Sequence, residues 1–250
     1  MKTIINKSYS CIGVDGCKGR WVVVCISDNG FEVGKFKTIY DICSRYPEAD
    51  SYIIDIPIGL VEDKNQTRPD LLVKKELGKK GSSIFGVPCR QAIYAADKKE
   101  AKDLNIAILG KSLSEQTLGI TKSIKQVDEF LYSNPSWKNR LLESHPELCF
   151  SKLNRNRPIL EDKKKPDGQR KRLEILTECF PEANNVIEKY LTDVPYRKKI
   201  DDVIDALCLA VTGKLILENG LKTIPEKPRI DSRGLLIQMV YADCSKYNYF

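Results

Sequence analysis

The sequence of 250 residues lacks several features that mark common classes of protein. It has a single histidine, His145, and no cysteine pair in C-x-x-C spacing, so a zinc site fits poorly. No run approaches the roughly 20 apolar residues of a membrane helix. The first residues, MKTIINKSYS, lack the apolar core of a signal peptide. We therefore expect a cytoplasmic protein without a membrane partner.

The nine cysteines do not indicate a disulfide framework, because their number is odd and several lie in or beside apolar segments. Reduced thiols in the core explain these positions better. Any metal bound by this chain is therefore expected to have oxygen ligands. At this length and with 42% apolar residues, the chain can bury a substantial core. We expect one domain over residues 1–250.

Positive charge is concentrated in one stretch. The formal net charge is +7, and residues 152–172, here called the basic segment, hold nine Lys or Arg against three acids. Such a run is often a solvated loop, but it also suits contacts with nucleic-acid phosphates. It contains no aromatic residue and so offers no surface for stacking bases. The predicted substrate contacts in this segment are Lys163, Lys164, Arg170 and Arg172.

Two acidic residues lie at the ends of predicted buried strands. Residues 11–14 and 21–26 are rich in valine and isoleucine and are predicted to form a hairpin, with Asp15 where the first strand ends. Residues 52–56 form an almost continuous apolar run that Asp55 interrupts near its end. If these strands are parallel neighbours, both carboxylates lie at the sheet edge where α/β proteins usually build their sites.

A third group of acids is predicted on one helix. In DDVIDALCLAVT, Asp201, Asp202 and Asp205 lie within one turn, and like charges at that spacing repel each other. Asp201 or Asp202 is a candidate helix N-cap, but Asp205 precedes a run of apolar residues. Carboxylates that lie this close together need cations to neutralise their charge, and Mg²⁺ or Mn²⁺ is the usual ion at such a site. Two such ions assist the hydrolysis of phosphodiester bonds.

The rest of the pattern predicts an α/β fold with a mixed sheet. A third strand over residues 31–39 and a short helix over residues 40–46 follow the hairpin. Residues 62–138 are polar and mostly helical in pattern, and we expect a helical insertion there. Beyond the insertion the pattern predicts a strand (139–150), three helices (169–180, 184–191 and 201–218) and a final strand (235–241).

Five blocks of the sequence together resemble a known family. In chain order they are GVDGCKGRWVVV, DIPIGL, RPDLLVKKELGKKGSSIFGVPCR, ESHPELCF and DDVIDALCLAVTG. As a set they are similar to the DUF429 family, whose members are predicted to be ribonuclease H-like nucleases. The D-x-x-D-A-L spacing that begins at Asp202 is similar to that of RuvC-type junction resolvases.

The resemblance implies a ribonuclease H-like mixed sheet flanked by helices, with the helical insertion between the fourth and fifth strands. It implies that Asp15, Asp55, Asp202 and Asp205 are the catalytic metal ligands, on the first strand, the fourth strand and the last helix. Glu143, in ESHPE, is a further expected ligand or a supporting acid. His145 is expected to be a hydrogen-bonded structural residue.

Arg68 and Arg90 lie on either side of a glycine-containing loop over residues 78–88. Backbone N–H groups of such a loop can approach a phosphate. The two arginines are predicted substrate contacts, and the alternative is that they pair with Asp70 and neighbouring acids.

Three functions are compatible with these features. The first is a two-metal nuclease that cleaves DNA or RNA. The second is an ATP-binding phosphotransferase of the actin and sugar-kinase type, since GVDGCKG resembles the first phosphate loop of that superfamily, although those proteins pair two such domains. The third is a catalytically silent nucleic-acid-binding module, in which Asp15 and Asp55 are each expected to pair with arginine or lysine.

Overall fold

The computed structural model describes residues 9–17, 19–193 and 199–244, whose strands form a five-stranded sheet and a separate antiparallel pair. The large sheet has the order β3-β2-β1-β4-β5, and β6 pairs with β7. The strands are β1 (Ser10–Cys17), β2 (Arg20–Ser27), β3 (Gly30–Phe36), β4 (Ser51–Ile54), β5 (Leu141–Glu143), β6 (Leu221–Ile230) and β7 (Leu236–Ala242).

The large sheet is mixed, as the sequence predicts. Strand β2 is antiparallel to both β1 and β3, whereas β4 is parallel to both β1 and β5. The parallel register of β1 and β4 runs from Cys11 opposite Ser51 to Val14 opposite Ile54. The predicted parallel pairing of these two strands is therefore confirmed. This order and these directions are consistent with a ribonuclease H-like sheet.

The helices flank this sheet, and α2 to α5 lie between β4 and β5, where the sequence predicts a helical insertion. None of the described helices is both long enough and apolar enough to cross a membrane. The helices are α1 (Ile39–Arg45), α2 (Asp70–Glu76), α3 (Arg90–Ile93), α4 (Lys98–Leu109), α5 (Glu115–Ser133), α6 (Pro146–Leu153), α7 (Pro166–Cys179), α8 (Ala183–Asp193) and α9 (Ile200–Asn219), with 3₁₀ helices at Gly78–Ser83 and Pro135–Trp137.

Helix α9 lies directly on β1 and is buried along most of its length. A side chain at Gly13 would collide with the backbone of Ala206 and Ala210, so this strand position requires glycine. A side chain at Gly213 would meet Ser51 and Cys11 at the other end of the contact. The helix therefore runs antiparallel to β1, and its first turns lie beside the end of the strand that carries Asp15.

The segment after β5 differs from the prediction. Strand character was expected over residues 139–150, but the strand ends at Glu143 and α6 begins at Pro146. His145 is the N-cap, and its Nδ1 accepts a hydrogen bond from the Glu147 N–H at 3.1 Å. Proline is common at the first helical position, because the backbone N–H that proline lacks would have no partner within the helix there. Strand β6 was also not predicted, because its two prolines are unusual within a strand.

Candidate active site

Asp15 and Asp55 lie next to each other at the carboxyl edge of the parallel strands. Asp15 belongs to β1 and is 7% exposed, while Asp55 follows β4 and is partly exposed. The Asp55 N–H donates to the Val14 carbonyl oxygen at 2.9 Å, which extends the pairing of the two strands by one residue. The predicted convergence of these strand ends is therefore confirmed.

Helix α9 supplies further acids to the same edge. Asp201, Asp202 and Asp205 are all buried, and Asp205 is only 1% exposed. The N-cap of α9 is Lys199, so the expectation that Asp201 or Asp202 caps the helix is wrong. Both lie instead in the first turn, where the helix dipole favours negative charge. We call Asp15, Asp55, Asp202 and Asp205 the acid cluster.

The carboxylates of the acid cluster affect one another electrostatically. Burial raises the pKa of Asp15 well above its ordinary value, and the charges of Asp55 and Asp205 raise it further. Burial also raises the pKa of Asp55, although His145 and Lys163 oppose that shift. Negative charge at this sheet edge is therefore costly, and the cost falls when a cation or a proton is bound.

Lys163, from the basic segment, supplies part of the missing positive charge. Its Nζ lies 2.5 Å from Asp205 Oδ2. Burial alone would lower the pKa of this amine, but the charges of Asp205 and Asp15 raise it above its ordinary value. Lys199 Nζ lies 3.4 Å from Asp202 Oδ2 at the start of α9. Among the residues that the structure describes, these two amines are the cations paired with four carboxylates, so negative charge is in excess there.

The donor chemistry of the acid cluster fits a hard divalent cation, because every candidate ligand is a carboxylate. Within residues 9–17, 19–193 and 199–244, however, no group of three or more His, Cys, Asp or Glu side chains is arranged to hold a metal ion. Magnesium sites often use only one or two carboxylates together with waters and substrate phosphates. The residues present fit a site of that kind better than a complete protein cage.

A cleft of about 360 Å³ opens at Asp15 and Asp55. Lys163 and His145 line it as well. Residues 83–87 and part of α5 contribute further lining. The structural role expected of His145 is observed, since its Nδ1 caps α6 while the ring borders the cleft.

The family model described as a protein of unknown function, DUF429, matches residues 13–230. The chain belongs to the DUF429 family. No curated protein and no solved structure matches it. The region that matches DUF429 contains the whole acid cluster and the helices that border the cleft.

In this DUF429 chain, Arg68 and Glu143 are partners of each other. Arg68 is buried, and its Nη2 lies 2.5 Å from Glu143 Oε1 while its Nε lies 2.9 Å from Asp70 Oδ2. Glu143 Oε2 accepts the Ile58 N–H at 2.6 Å. Both oxygens of Glu143 and the guanidinium of Arg68 are thus engaged within the protein. This geometry favours the alternative of internal pairing over the metal and substrate contacts predicted for these residues.

Arg90 is also engaged within the protein. Its guanidinium lies 2.6 Å from Asp128, 2.7 Å from Glu62 and 2.5 Å from Asp231. Arg233 reaches Asp128 Oδ2 at 2.7 Å. We call these five residues the arginine cluster. Because Arg90 is buried among acids, the arrangement again favours internal pairing over the predicted substrate contact.

The basic segment is divided among three environments and is not one solvated loop. Lys163 faces the cleft, and Lys164 is exposed beside it. Arg170 lies on the exposed face of α7, where it pairs with Glu174 at 3.0 Å. Arg172 is fully buried, and its Nη2 lies 2.7 Å from Glu147 Oε1. Lys163 and Lys164 thus stay candidates for substrate contact, whereas Arg172 has an internal partner.

Glu147 is the site residue that sequence reasoning left unassigned. It is buried and borders the cleft, and Arg172 occupies its Oε1. Its Oε2 is buried without a hydrogen-bond partner among the described residues. A buried carboxylate oxygen without a partner is costly. The position of Glu147 directly after Pro146, in the first turn of a helix, is the sequence signal that indicates where this carboxylate lies.

Proposed function

We propose that this chain is a metal-dependent nuclease that hydrolyses phosphodiester bonds in DNA or RNA. The observation that carries the proposal is the acid cluster, in which carboxylates from β1, the end of β4 and the start of α9 lie beside a cleft that Asp15 and Asp55 line. Among the described residues these carboxylates outnumber the lysines that contact them. The lysines of the basic segment lie beside this cleft. An acidic pocket next to basic side chains suits a polyanionic substrate whose cleavage needs divalent ions.

Asp15, Asp55 and Asp205 would hold Mg²⁺ or Mn²⁺, with Asp202 as the neighbouring acid on α9. When bound, such an ion polarises the phosphoryl oxygens and makes water a better nucleophile at neutral pH. In our proposal Lys163 moves from Asp205 to a substrate phosphate, which frees a carboxylate oxygen for the cation. Glu147 borders the cleft, but its Oε2 is buried and would accept a hydrogen bond or a proton only after a side-chain rearrangement.

A second candidate is a nucleic-acid-binding module without catalytic activity. It is favoured by the ion pair between Lys163 and Asp205, which neutralises part of the acid cluster without a metal. It accounts less well for Asp15 and Asp55, because Lys163 is the one lysine among the described residues that line the cleft and the pKa values of both acids are raised. The actin-like phosphotransferase gains no support, since the described residues contain a single five-stranded sheet and one strand pair.

A cleavage assay separates these candidates. The purified protein is incubated with Mn²⁺ or Mg²⁺ and a panel of single-stranded, duplex, hybrid and junction substrates of DNA and RNA. We expect metal-dependent cleavage that is lost in Asp15→Asn and kept in Asp103→Asn, which alters an exposed acid on α4. Cleavage at equal rates by Asp15→Asn and the unmodified protein would refute the nuclease proposal. Calorimetric titration with ATP and Mg²⁺ tests the phosphotransferase.

A further inference from the structure

The lining of the cleft is chemically mixed. Charged side chains line part of it, among them Asp15, Asp55 and Lys163, whereas much of the remaining lining is apolar. A cleft of about 360 Å³ is within the size range of small-ligand sites. It has room for one nucleotide, but it is too small for a stacked duplex. The apolar side chains that line it are Ile56, Ile84, Phe85, Val87, Ile120 and Met239.

Phe85 is the main aromatic feature of the cleft. It is 40% exposed, and no other phenylalanine in the described ranges is among the exposed large apolar side chains. No aromatic ring in the described part of the chain stacks on it. An exposed aromatic ring is a common platform for a nucleobase, because every base has a face on which it can stack. Phe85 thus offers the stacking surface that the basic segment lacks.

Three glycines keep the cleft open. Gly16, Gly86 and Gly119 border it, and a Cβ added at any of them would meet no protein atom within 4 Å. Their backbone conformations are also accessible to other residues. Gly119 lies inside α5, where glycine lowers helix stability relative to alanine. Neither packing nor backbone geometry requires glycine at these positions, and each one leaves space for a ligand.

Lys163 lines the same cleft, and further lysines are its neighbours in the chain or contact the basic segment. Lys80, in the 3₁₀ helix Gly78–Ser83, donates from Nζ to the Glu161 carbonyl oxygen at 3.2 Å and so joins this helix to the basic segment. Lys163 borders the cleft itself, and Lys164 and Lys165 are exposed beside it. A nucleic-acid backbone along these lysines would have its phosphates near positive charge and its bases near Phe85.

We infer that the cleft binds one unpaired nucleotide of a single-stranded nucleic acid, with its base on Phe85 and the adjoining phosphates along Lys163, Lys164 and Lys165. This inference rests on the proposed nuclease function and specifies its substrate class. A paired base cannot reach Phe85 unless it leaves its duplex, and that step costs free energy. Single strands should therefore bind more tightly than duplexes.

Binding is tested by fluorescence anisotropy with Mg²⁺ present and in an Asp15→Asn background, which prevents cleavage. The probes are a labelled short oligothymidylate, the matching oligouridylate and a blunt DNA duplex of equal length. We expect each single strand to bind about tenfold more tightly than the duplex. Phe85→Ala should weaken single-strand binding about tenfold, whereas Phe85→Trp should retain it.

Cavity filling provides an independent test. Gly119→Ala and Gly119→Val should weaken single-strand binding in that order without lowering the melting temperature, because the added atoms enter open space. Ile106→Ala is the matched control, since it removes an exposed apolar side chain of α4 outside the cleft. Equal affinity of the Gly119 variants and the parent protein for single strands would overturn the inference.

The outcomes distinguish this inference from the proposed function. If the unmodified protein cleaves duplexes as well as single strands and Phe85→Ala has no effect on binding, the inference fails while the nuclease proposal stands. If single strands bind in a Phe85-dependent way but the unmodified protein cleaves no substrate, the inference stands and the nuclease proposal fails. Equal affinity for single strands and duplexes overturns the inference whatever the activity.

Discussion

The acid cluster and the arginine cluster are both rich in buried acids, but they differ in how these acids are satisfied. In the arginine cluster, Arg90 alone contacts Glu62, Asp128 and Asp231, and Arg233 adds a second guanidinium to Asp128. The planar guanidinium presents several donors at once and therefore suits such a site. Every acid in this cluster has a short ion pair with an arginine.

In the described part of the chain, no arginine forms an ion pair with the acid cluster. Lys163 reaches Asp205, while burial and mutual repulsion raise the pKa values of Asp15 and Asp55. A buried charge without a full set of partners is costly and is retained most often where it has a function. The number of buried acids in a region therefore does not by itself identify a functional site. What separates the two clusters is the supply of fixed cationic donors.

The largest expected difference between the clusters is in activity. Asp15→Asn should reduce Mn²⁺-dependent cleavage about a thousandfold or more, because it removes a predicted ligand of an ion that contributes several kcal/mol to transition-state stabilisation. The same change should leave the free energy of unfolding unchanged or raise it, since it removes a repelled negative charge. Cleavage rates and urea denaturation measure the two effects. A destabilised Asp15→Asn protein would contradict the comparison.

The arginine cluster should respond in the opposite way. Arg90→Met should lower the free energy of unfolding by about 3–5 kcal/mol, because the buried acids Asp128 and Asp231 and the half-buried Glu62 all lose an ion pair. Arg170→Met, on the exposed face of α7, is the matched control and should cost less than about 1 kcal/mol. Urea denaturation of both variants gives the comparison. Equal losses in the two variants would show that Arg90 does not hold the cluster together.

The dependence of stability on pH sharpens the contrast. Because the pKa values of Asp15 and Asp55 are raised in the folded state, both acids bind protons more tightly there than in the unfolded chain. Their contribution to stability is present at low pH and is lost as the pH rises through the raised pKa values. Without metal, the free energy of unfolding should therefore fall as the pH rises from 5 to 8.

Urea denaturation in EDTA at several pH values measures this dependence. Asp15→Asn should make the dependence shallower, because it removes one of the acids whose pKa is raised in the folded state. Asp103→Asn should leave it unchanged. A free energy of unfolding that rises from pH 5 to pH 8 in the unmodified protein, with no effect of Asp15→Asn on the slope, would contradict the electrostatic description of the acid cluster.

A smaller effect is expected at Lys163. Lys163→Met removes the cation that neutralises Asp205, so Mn²⁺ should bind about tenfold more tightly, which corresponds to about 1.4 kcal/mol. Lys164→Met changes an exposed lysine and should leave the affinity unchanged. Titration calorimetry with Mn²⁺ measures both variants. Weaker Mn²⁺ binding by Lys163→Met would mean that this lysine supports the metal site and does not compete with the metal.

Much of the acid cluster could be predicted because its signals are local. Asp15 and Asp55 each lie at the end of an apolar strand, and Asp202 and Asp205 are spaced by one helical turn. The order of strands and helices along the chain then predicts that β1 and β4 are parallel neighbours, whose carboxyl ends lie at the same edge of the sheet. The mixed sheet, the parallel pairing of β1 and β4, and the position of α9 follow from this kind of pattern.

The partners of the arginines could not be predicted in the same way. Arg90 pairs with Asp231, which is 141 residues away, and Arg68 pairs with Glu143 across 75 residues. No local pattern specifies such contacts, because they depend on how distant elements pack. The division of the basic segment has the same origin, since the burial of Arg172 depends on Glu147 in α6. The start of α6 is different, because a proline at position 146 is a local sequence signal for the first residue of a helix.

The most direct test of the central claim is anomalous diffraction from a crystal of this protein soaked in Mn²⁺. We expect an anomalous peak between the carboxyl groups of Asp15, Asp55 and Asp205, with the Lys163 amine displaced from Asp205. The absence of a peak at this sheet edge, with the Lys163 amine still in contact with Asp205, would contradict the proposed metal site.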